Sequence, residues 1–251
     1  KLFTVTFLLF LLSFTVSGIA RAQVRTPGVK VGDTFIYTTA AYWSSSDPLA
    51  SAPSDVVSMN QTEYLRVGIA GVDGSNVNIF TIWHYMNGTD STSLGTVNVN
   101  TGGVSGGSGV FWAILAANLS LGELIHPLGQ DALTVSETVM RNYAGSDRET
   151  NHLIITYQNA TEGATGRLDR YFDKQTGMLV ELHDETSYTN PATTVIISWK
   201  IKDTNVWVIP EFPSVLILPL FMMATLLAVI AYRRKRTGHQ AEPGSITTHG
   251  P

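Results

Sequence analysis

The feature that most limits the fold of this chain is an uncharged run near its C-terminus. Val215 to Tyr232 is eighteen residues long and holds no charged side chain. A helix that rises about 1.5 Å per residue covers about 27 Å over such a run, close to the ~30 Å hydrocarbon core of a bilayer. The sequence therefore predicts a transmembrane helix over 215–232.

Four cations directly after this run set the expected orientation. They are Arg233, Arg234, Lys235 and Arg236, whereas Glu211 lies on the other flank. Basic residues that flank a span are enriched on the cytoplasmic side of the membrane. We therefore expect a cytoplasmic tail over 233–251 and an extracellular location for the part of the chain before the span.

The N-terminal segment has the pattern of a secretory signal peptide. Leu2 to Ile19 is apolar with interspersed Thr and Ser, and it leads into Ala20-Arg21-Ala22. A small-x-small sequence of this kind is what signal peptidase cleaves. We expect removal of residues 1–22, with an uncleaved N-terminal anchor as the alternative.

The region between the two apolar ends is acidic and lacks cysteine. Residues 23–213 hold ten Lys and Arg against nineteen Asp and Glu. This charge repels a polyanion, so we expect no nucleic-acid partner. Because the chain has no Cys, neither disulfides nor thiolate metal sites are available. The length fits one domain, which we place at 23–207, followed by a Pro-rich stalk at 208–214.

Apolar residues of this domain alternate with a period of two, which predicts half-buried strands. The clearest example puts Val195, Ile197, Trp199 and Ile201 on one face of a strand. A hairpin is predicted from strands at 63–70 and 77–85, because Asp73-Gly74 between them suits a tight turn.

Further strands are predicted around turn sequences. One pair, 167–172 and 178–187, is joined by Asp173-Lys-Gln-Thr-Gly177, and another, 133–143 and 152–158, flanks 144–147. An opening strand at 34–39 and a strand at 96–100 are added. The links are short, so the predicted fold is mainly β, a single curved antiparallel sheet in meander order.

One apolar segment does not alternate. Residues 110–118 are apolar on all sides and follow Ser108, a suitable N-cap, so they predict one helix packed on the sheet. The Gly-rich stretch 102–109 reads as a flexible linker. Residues 44–54, with Pro48 and Pro53, read as a mobile loop.

The C-terminal region resembles a known class of sorting signal. Pro210, Glu211, Phe212 and Pro213, followed by an apolar span and a basic cluster, are similar to the PEF-type signals of archaeal surface proteins. This resemblance implies recognition by an archaeosortase-like transpeptidase that cleaves near the motif and replaces the span with another anchor. Fifteen residues follow Arg236, a longer tail than such signals carry, so retention as an ordinary membrane helix stays open.

The outer domain resembles the LolA-type lipoprotein carriers. The similarity rests on Val31-Gly-Asp-Thr-Phe35 and on the hairpin 171–180 with its Asp-x-x-Thr-Gly turn. It implies a curved antiparallel sheet that wraps helices and holds an acyl chain on its concave face.

Two patterns bear on catalysis and metal binding. Gly103-Val-Ser-Gly-Gly107 matches the nucleophile elbow of serine hydrolases, with His152 or His183 and Asp131 or Asp147 as conceivable partners of Ser105. An elbow needs a rigid turn above a parallel sheet, which this Gly-rich region does not predict. Glu181, His183 and Glu185 share one strand face, but one strand supplies only an open row of ligands. We therefore expect neither catalysis nor a metal, and no cofactor.

Glycosylation and aromatic residues complete the candidates. Four Asn-x-Ser/Thr sequons begin at Asn60, Asn87, Asn118 and Asn159. Trp207 and Tyr232 suit the outer and inner interfacial belts of the membrane, and the other Trp residues suit the core. Trp43 or Tyr42, placed in the loop, are candidates for carbohydrate stacking.

The sequence as a whole predicts a single-pass cell-surface glycoprotein with a non-catalytic β-rich domain for binding or envelope architecture. Its expected partners are membrane lipid, an archaeosortase-like transpeptidase and other envelope proteins. A carrier or sensor of a hydrophobic ligand is the first alternative, and a serine hydrolase is the second.

Overall fold

The alternating segments form one antiparallel sheet in a computed structural model of the chain, which describes residues 24–107, 113–207 and 214–237. The chain divides into two units, Lys1–Trp207 and Val208–Pro251. The predicted signal peptide and the predicted sorting motif at 210–213 lie outside the described residues. The strands are β1 Thr34–Ser45, β2 Thr62–Asp73, β3 Asn76–Tyr85, β4 Asp90–Asn98, β5 Val104–Gly106, β6 Glu137–Tyr143, β7 Ser146–Asn159, β8 Ala164–Asp173, β9 Leu179–Thr189 and β10 Ala192–Thr204.

Ten described strands follow the order β5-β4-β3-β2-β1-β10-β9-β8-β7-β6 in the sheet. Two meanders, β1 to β5 and β6 to β10, are thus joined by the antiparallel pairing of the first strand with the last. That pairing runs from Phe35 opposite Thr204 to Ser45 opposite Thr193. The mainly β, antiparallel prediction is confirmed, and the meander prediction holds within each half.

The predicted turns have the backbone that their residues suggest. Gly74, between β2 and β3, has a φ of 56°. Gly177, between β8 and β9, has a φ of 78°, and its amide donates to the carbonyl of Asp173 at 2.7 Å. Ala144 and Gly145, between β6 and β7, both have a positive φ, which is the geometry of a two-residue turn that matches the twist of its strands.

The sheet curves towards the face that carries Trp83 of β3 and Trp199 of β10. Three strand spacings of about 4.8 Å separate these strands. The two indole rings nevertheless meet edge to face, with centroids 5.4 Å apart and an interplanar angle of 78°. Side chains from distant strands therefore converge over this face.

The described strands at the two edges of the sheet, β5 and β6, are consecutive in the sequence. Residues 113–135 belong to the connection between them and are called here the connecting segment. Four of its large apolar side chains are buried with those of the sheet: Ile114, Leu115, Leu119 and Ile125 are each at most 1% exposed. The connecting segment also bonds to the β8–β9 turn, since the Leu115 amide donates to the Gly177 carbonyl at 2.8 Å. Part of the sheet face is thereby covered by the chain itself.

The predicted helix over 110–118 is wrong in its described part. Residues 113–118 form a bend, a bridge from Ile114 to Met178 and a turn, and Asn118 has a φ of 56°. The predicted burial is confirmed. An apolar run of this length fits either a buried helix or a buried extended segment, and here the free backbone of the β8–β9 turn favours the extended one.

A short helix that the sequence did not predict packs beside β1. It is α1, Ser54–Asn60, and it begins at the end of the segment read as a mobile loop. Tyr42 and Trp43, expected in that loop, belong instead to β1. Because α1 has seven residues, it shows no helical period from which it could be predicted.

The second unit contains α2, Ser214–Thr237, which includes the predicted span and the basic residues 233–236. Among the described residues, no helix reaches the length and hydropathy that crossing a bilayer requires.

The expected place of Trp207 in a membrane interface is wrong. Its side chain is 7% exposed and belongs to the core cluster of the first unit, and the Arg148 guanidinium lies 5.0 Å from the ring centre. Tyr232, its expected counterpart, is 67% exposed on α2.

Candidate functional site

A solvent-open cleft of about 310 Å³ lies between α1 and the neighbouring ends of β3 and β4. Its volume is at the lower end of the range typical of small-molecule sites, about 300–1,000 Å³. Three elements contribute to its wall, and the described lining residues are Asp55, Ser58, Met59, Trp83, Tyr85, Ser91, Thr92 and Ser93.

Two aromatic rings form one side of the cleft. Trp83 and Tyr85 are two positions apart on β3, so their side chains leave the same face of the strand, about 7 Å apart. Trp83 is fixed from behind by its contact with Trp199. Tyr85 is linked across the cleft, since the Ser58 hydroxyl lies 3.4 Å from its phenol oxygen.

The helix on the other side is held by its C-terminal residues. The Asn60 side-chain amide makes two hydrogen bonds to the backbone of Ala41 in β1, accepting at 2.8 Å and donating at 2.8 Å. The Thr39 hydroxyl donates to the Met59 carbonyl at 3.3 Å, and the Thr62 hydroxyl donates to the Ser58 carbonyl at 3.0 Å. The cleft is therefore assembled before any ligand enters.

The described lining of the cleft is polar and aromatic. It offers hydroxyl groups, two aromatic rings, one thioether and the carboxylate of Asp55, but no cation and no imidazole. Covalent catalysis needs a nucleophile within reach of a base that another group orients. Such a set is missing from these lining residues.

A second polar cluster lies on the sheet face formed by β6 to β9. His152 is 4% exposed, and its two ring nitrogens lie 2.7 Å from Glu137 and 2.9 Å from Asp169. Tyr171 stacks on the imidazole at 4.0 Å, and the Arg141 guanidinium lies 4.1 Å from the centre of the Tyr171 ring.

The ionic groups of this cluster are paired with one another. The hydrogen bond from the Arg167 guanidinium, with a smaller contribution from His152, holds the pKa of Asp169 below its ordinary value. Burial, followed by the hydrogen bond to Glu181, raises the pKa of the Tyr143 phenol above its ordinary value. Shifted pKa values mark functional sites but also structural ion networks. Because each ionic group here already has its partner within the sheet, we assign the cluster to stability.

Ser105 does not occupy a nucleophile elbow. It is the middle residue of β5, a three-residue edge strand opposite β4, and it pairs with Thr96. The strand–turn–helix context that would strain and expose a nucleophile is therefore not found at the described residues around it.

Glu181, His183 and Glu185 do lie on one face of β9, as predicted, yet they do not converge. Glu181 accepts one hydrogen bond from the Tyr143 phenol at 2.8 Å and is paired with Arg141 at 3.0 Å. The His183 ring is hydrogen-bonded to the Ser198 hydroxyl at 3.0 Å. Nowhere in the described ranges do three His, Cys, Asp or Glu residues stand close enough to hold a metal ion.

The four sequon asparagines lie at turns or element ends. Asn60, Asn87 and Asn118 are exposed, and Asn159 is half-buried. In the sequons of Asn87 and Asn159 the side-chain oxygen accepts the amide of the Thr two residues on, at 3.0 and 3.1 Å. Asn60 differs, because its side-chain nitrogen already donates to Ala41.

No family model matches the chain, and neither a curated protein nor a solved structure matches it. The cleft was missed in the sequence because its lining comes from three segments, and the central one, α1, carries no sequence period. The one available signal was the closeness of Trp83 and Tyr85 on a single strand face.

Proposed function

We propose that the chain is a single-pass, membrane-anchored cell-surface protein whose outer domain is a non-catalytic binding module. The observation that supports anchoring is the apolar surface of α2. Nine large apolar side chains between Leu220 and Tyr232 are 50 to 69% exposed. A helix that is apolar all round belongs in a core or a bilayer. Transfer of such side chains from water to hydrocarbon contributes on the order of 10 kcal/mol in total.

The orientation follows from the charges at the C-terminal end of this helix. Arg233 to Arg236 favour the cytoplasmic side, and the acidic domain before the helix then faces outward. Its four sequons are in reach of a glycosylation system in this orientation. Processing at Pro210–Pro213 by an archaeosortase-like transpeptidase would exchange the helix for another anchor without changing which side the domain faces.

A binding role is favoured over catalysis by the cleft beside α1. It is preassembled, solvent-open and lined by aromatic and hydroxyl groups, and it lacks a nucleophile with a base among its described lining. The same binding domain serves envelope architecture when its ligand is part of another envelope component.

The carrier of a hydrophobic ligand has weaker support. A LolA-like carrier needs an apolar cavity against the sheet, but the connecting segment fills that face with Ile114, Leu115, Leu119 and Ile125. The remaining opening carries hydroxyl groups and Asp55. An acyl chain would leave these polar groups without partners, which costs free energy.

The absence of Cys allows a clean topology experiment on intact cells. Ser51→Cys places the only thiol on an exposed residue of the outer domain, and Ser245→Cys places it in the tail. We expect a membrane-impermeant maleimide to label the Ser51→Cys protein in intact cells and the Ser245→Cys protein only after lysis. Protection of Ser51→Cys until lysis would disprove surface display. A labelled product that has lost its tail would instead reveal processing near the motif.

A further inference from the structure

We propose that the cleft between α1, β3 and β4 binds a neutral saccharide whose ring lies against Trp83 and Tyr85. This inference rests on the proposed binding function and names its ligand class. The described lining combines flat aromatic faces with several hydroxyl groups. Sugars combine the same two features, since a pyranose presents an apolar C–H face and a rim of hydroxyl groups.

The aromatic side of the cleft provides the stacking surface. Trp and Tyr offer large, rigid apolar faces with a polar edge, and they lose little conformational freedom on binding. Trp83 is held against Trp199 at 5.4 Å, so its ring orientation is fixed before a ligand arrives. Because Tyr85 follows two positions later, a second ring lies beside the first along the strand.

The other lining residues supply hydrogen-bonding groups suited to a polyol. Ser58 of α1 and Ser91 and Thr92 of β4 present hydroxyls that both donate and accept. The Asp55 carboxylate accepts from ligand hydroxyls, and hydrogen bonds to an ionised group are the stronger kind. Ser91 and Thr92 are themselves exposed, so they meet a ligand without rearrangement of the core.

The charge of the lining selects among polar ligands. None of the described lining residues carries a positive charge, and Asp55 is negative. Phosphates, sulfates and uronic acids would enter without a counter-charge and against a carboxylate. The ligand class is therefore neutral, and the open mouth allows one or two units of a longer chain to occupy the cleft.

The test uses the full chain in lauryldimethylamine oxide, a detergent without a sugar headgroup. The probes are malto-, cello-, laminari- and manno-oligosaccharides of three to six units, with oligogalacturonate as the anionic counterpart. Saturation-transfer NMR and tryptophan fluorescence report binding. We expect at least one neutral probe to bind with a Kd between micromolar and millimolar and oligogalacturonate to bind at least about tenfold more weakly.

Three variants locate the site. Trp83→Ala should weaken binding at least about tenfold, which is the loss expected for one stacked ring with its buried area. Trp83→Ala also removes the contact to Trp199, so a second variant is needed. The conservative double variant Ser58→Ala/Ser91→Val should weaken binding about tenfold and leave the circular dichroism spectrum unchanged. Tyr188→Ala, an exposed ring of β9 outside the cleft, is the matched control and should bind as the wild type does.

The outcomes separate this inference from the proposed function. Binding by no member of the neutral panel, equal binding by both cleft variants and the wild type, or tighter binding of oligogalacturonate would each overturn the saccharide site. If the Ser51→Cys protein is labelled on intact cells while no sugar binds, surface display stands and the ligand class is wrong. If Ser51→Cys is protected, the proposed function itself fails.

Discussion

The buried ion pair between Arg148 and Asp173 gives the sharpest test of what stabilises the outer domain. Asp173 begins the Asp-x-x-Thr-Gly turn and its side chain is 0% exposed. Its carboxylate accepts two hydrogen bonds from Arg148, at 2.7 and 3.1 Å, and two from Thr176, both at 2.8 Å. Removal of the guanidinium alone leaves a buried carboxylate without its counter-charge.

Arg148→Met should lower the free energy of unfolding by about 3–5 kcal/mol, the usual effect of breaking a buried pair on one side. With a urea m-value of about 2–3 kcal/mol/M, the midpoint falls by about 1–2 M. Far-UV circular dichroism is the appropriate signal, because Arg148 also lies over Trp207 and the change alters fluorescence locally.

Arg167→Met is the matched control on the next strand. Arg167 also donates two hydrogen bonds to one carboxylate, that of Asp169, but its side chain is 56% exposed. Exposed pairs contribute little, so the midpoint should barely move. The double variant Arg148→Met/Asp173→Asn should recover at least about 1 kcal/mol, since a neutral amide is less costly to bury. Equal midpoints for Arg148→Met and Arg167→Met would refute the reasoning.

Three further predictions concern the turns, the acidic range and the sequons. Gly177→Ala should lower the free energy of unfolding by about 3 kcal/mol or more, because the φ of Gly177 is 78° and a Cβ would lie 2.2 Å from the Leu115 carbonyl oxygen. Gly74→Ala has a strained φ but open space around the added Cβ, so it should cost only about 1–2 kcal/mol in the same urea titration. Folding lowers the pKa of Asp169, so its carboxylate contributes to stability at neutral pH, and this contribution is lost as the pH falls below about 4. The difference in urea midpoint between the wild type and Asp169→Asn should therefore shrink below that pH, and a constant difference would contradict this. If the sequons are used, mass spectrometry of the natively expressed protein should find a larger glycosylated fraction at Asn87 than at Asn60, whose side-chain nitrogen is bonded to Ala41. The reverse order would contradict this prediction.

Local features of the fold were predictable because their causes are local. The alternation around Val195–Ile201 and the Gly residues at 74 and 177 depend on neighbours within a few positions. Each corresponds to a strand or turn in the structure. The pairing of β1 with β10 could not be predicted in this way, since it joins residues about 150 to 170 positions apart and no turn sequence specifies it.

Apolar segments without a period were the main source of error. Residues 113–117 and Trp207 are buried, and burial is what apolar side chains favour. Composition does not show which part of the protein packs against them. The amide and carbonyl groups of the β8–β9 turn bind the connecting segment in an extended form, and the core of the first unit takes up Trp207 ahead of the predicted stalk.

The pairing of the first and last strands also determines where an anchored domain would present its cleft. The chain leaves β10 beside the start of β1, since the Asn205 side chain bonds the Thr34 amide at 2.8 Å and the Gly32 carbonyl at 2.9 Å. The cleft helix α1 is fixed further along β1, at Ala41. Seven residues of strand at about 3.4 Å each place the cleft about 24 Å from the point where the chain leaves the sheet. A tether that follows Trp207 therefore holds the domain by one end of β1 and leaves the saccharide cleft near the opposite half of that strand.

Moving the tether to the β3–β4 turn at Asn87 by circular permutation should preserve the fold and hinder binding of long oligosaccharides to immobilised protein, whereas equal binding would show that the tether position is irrelevant.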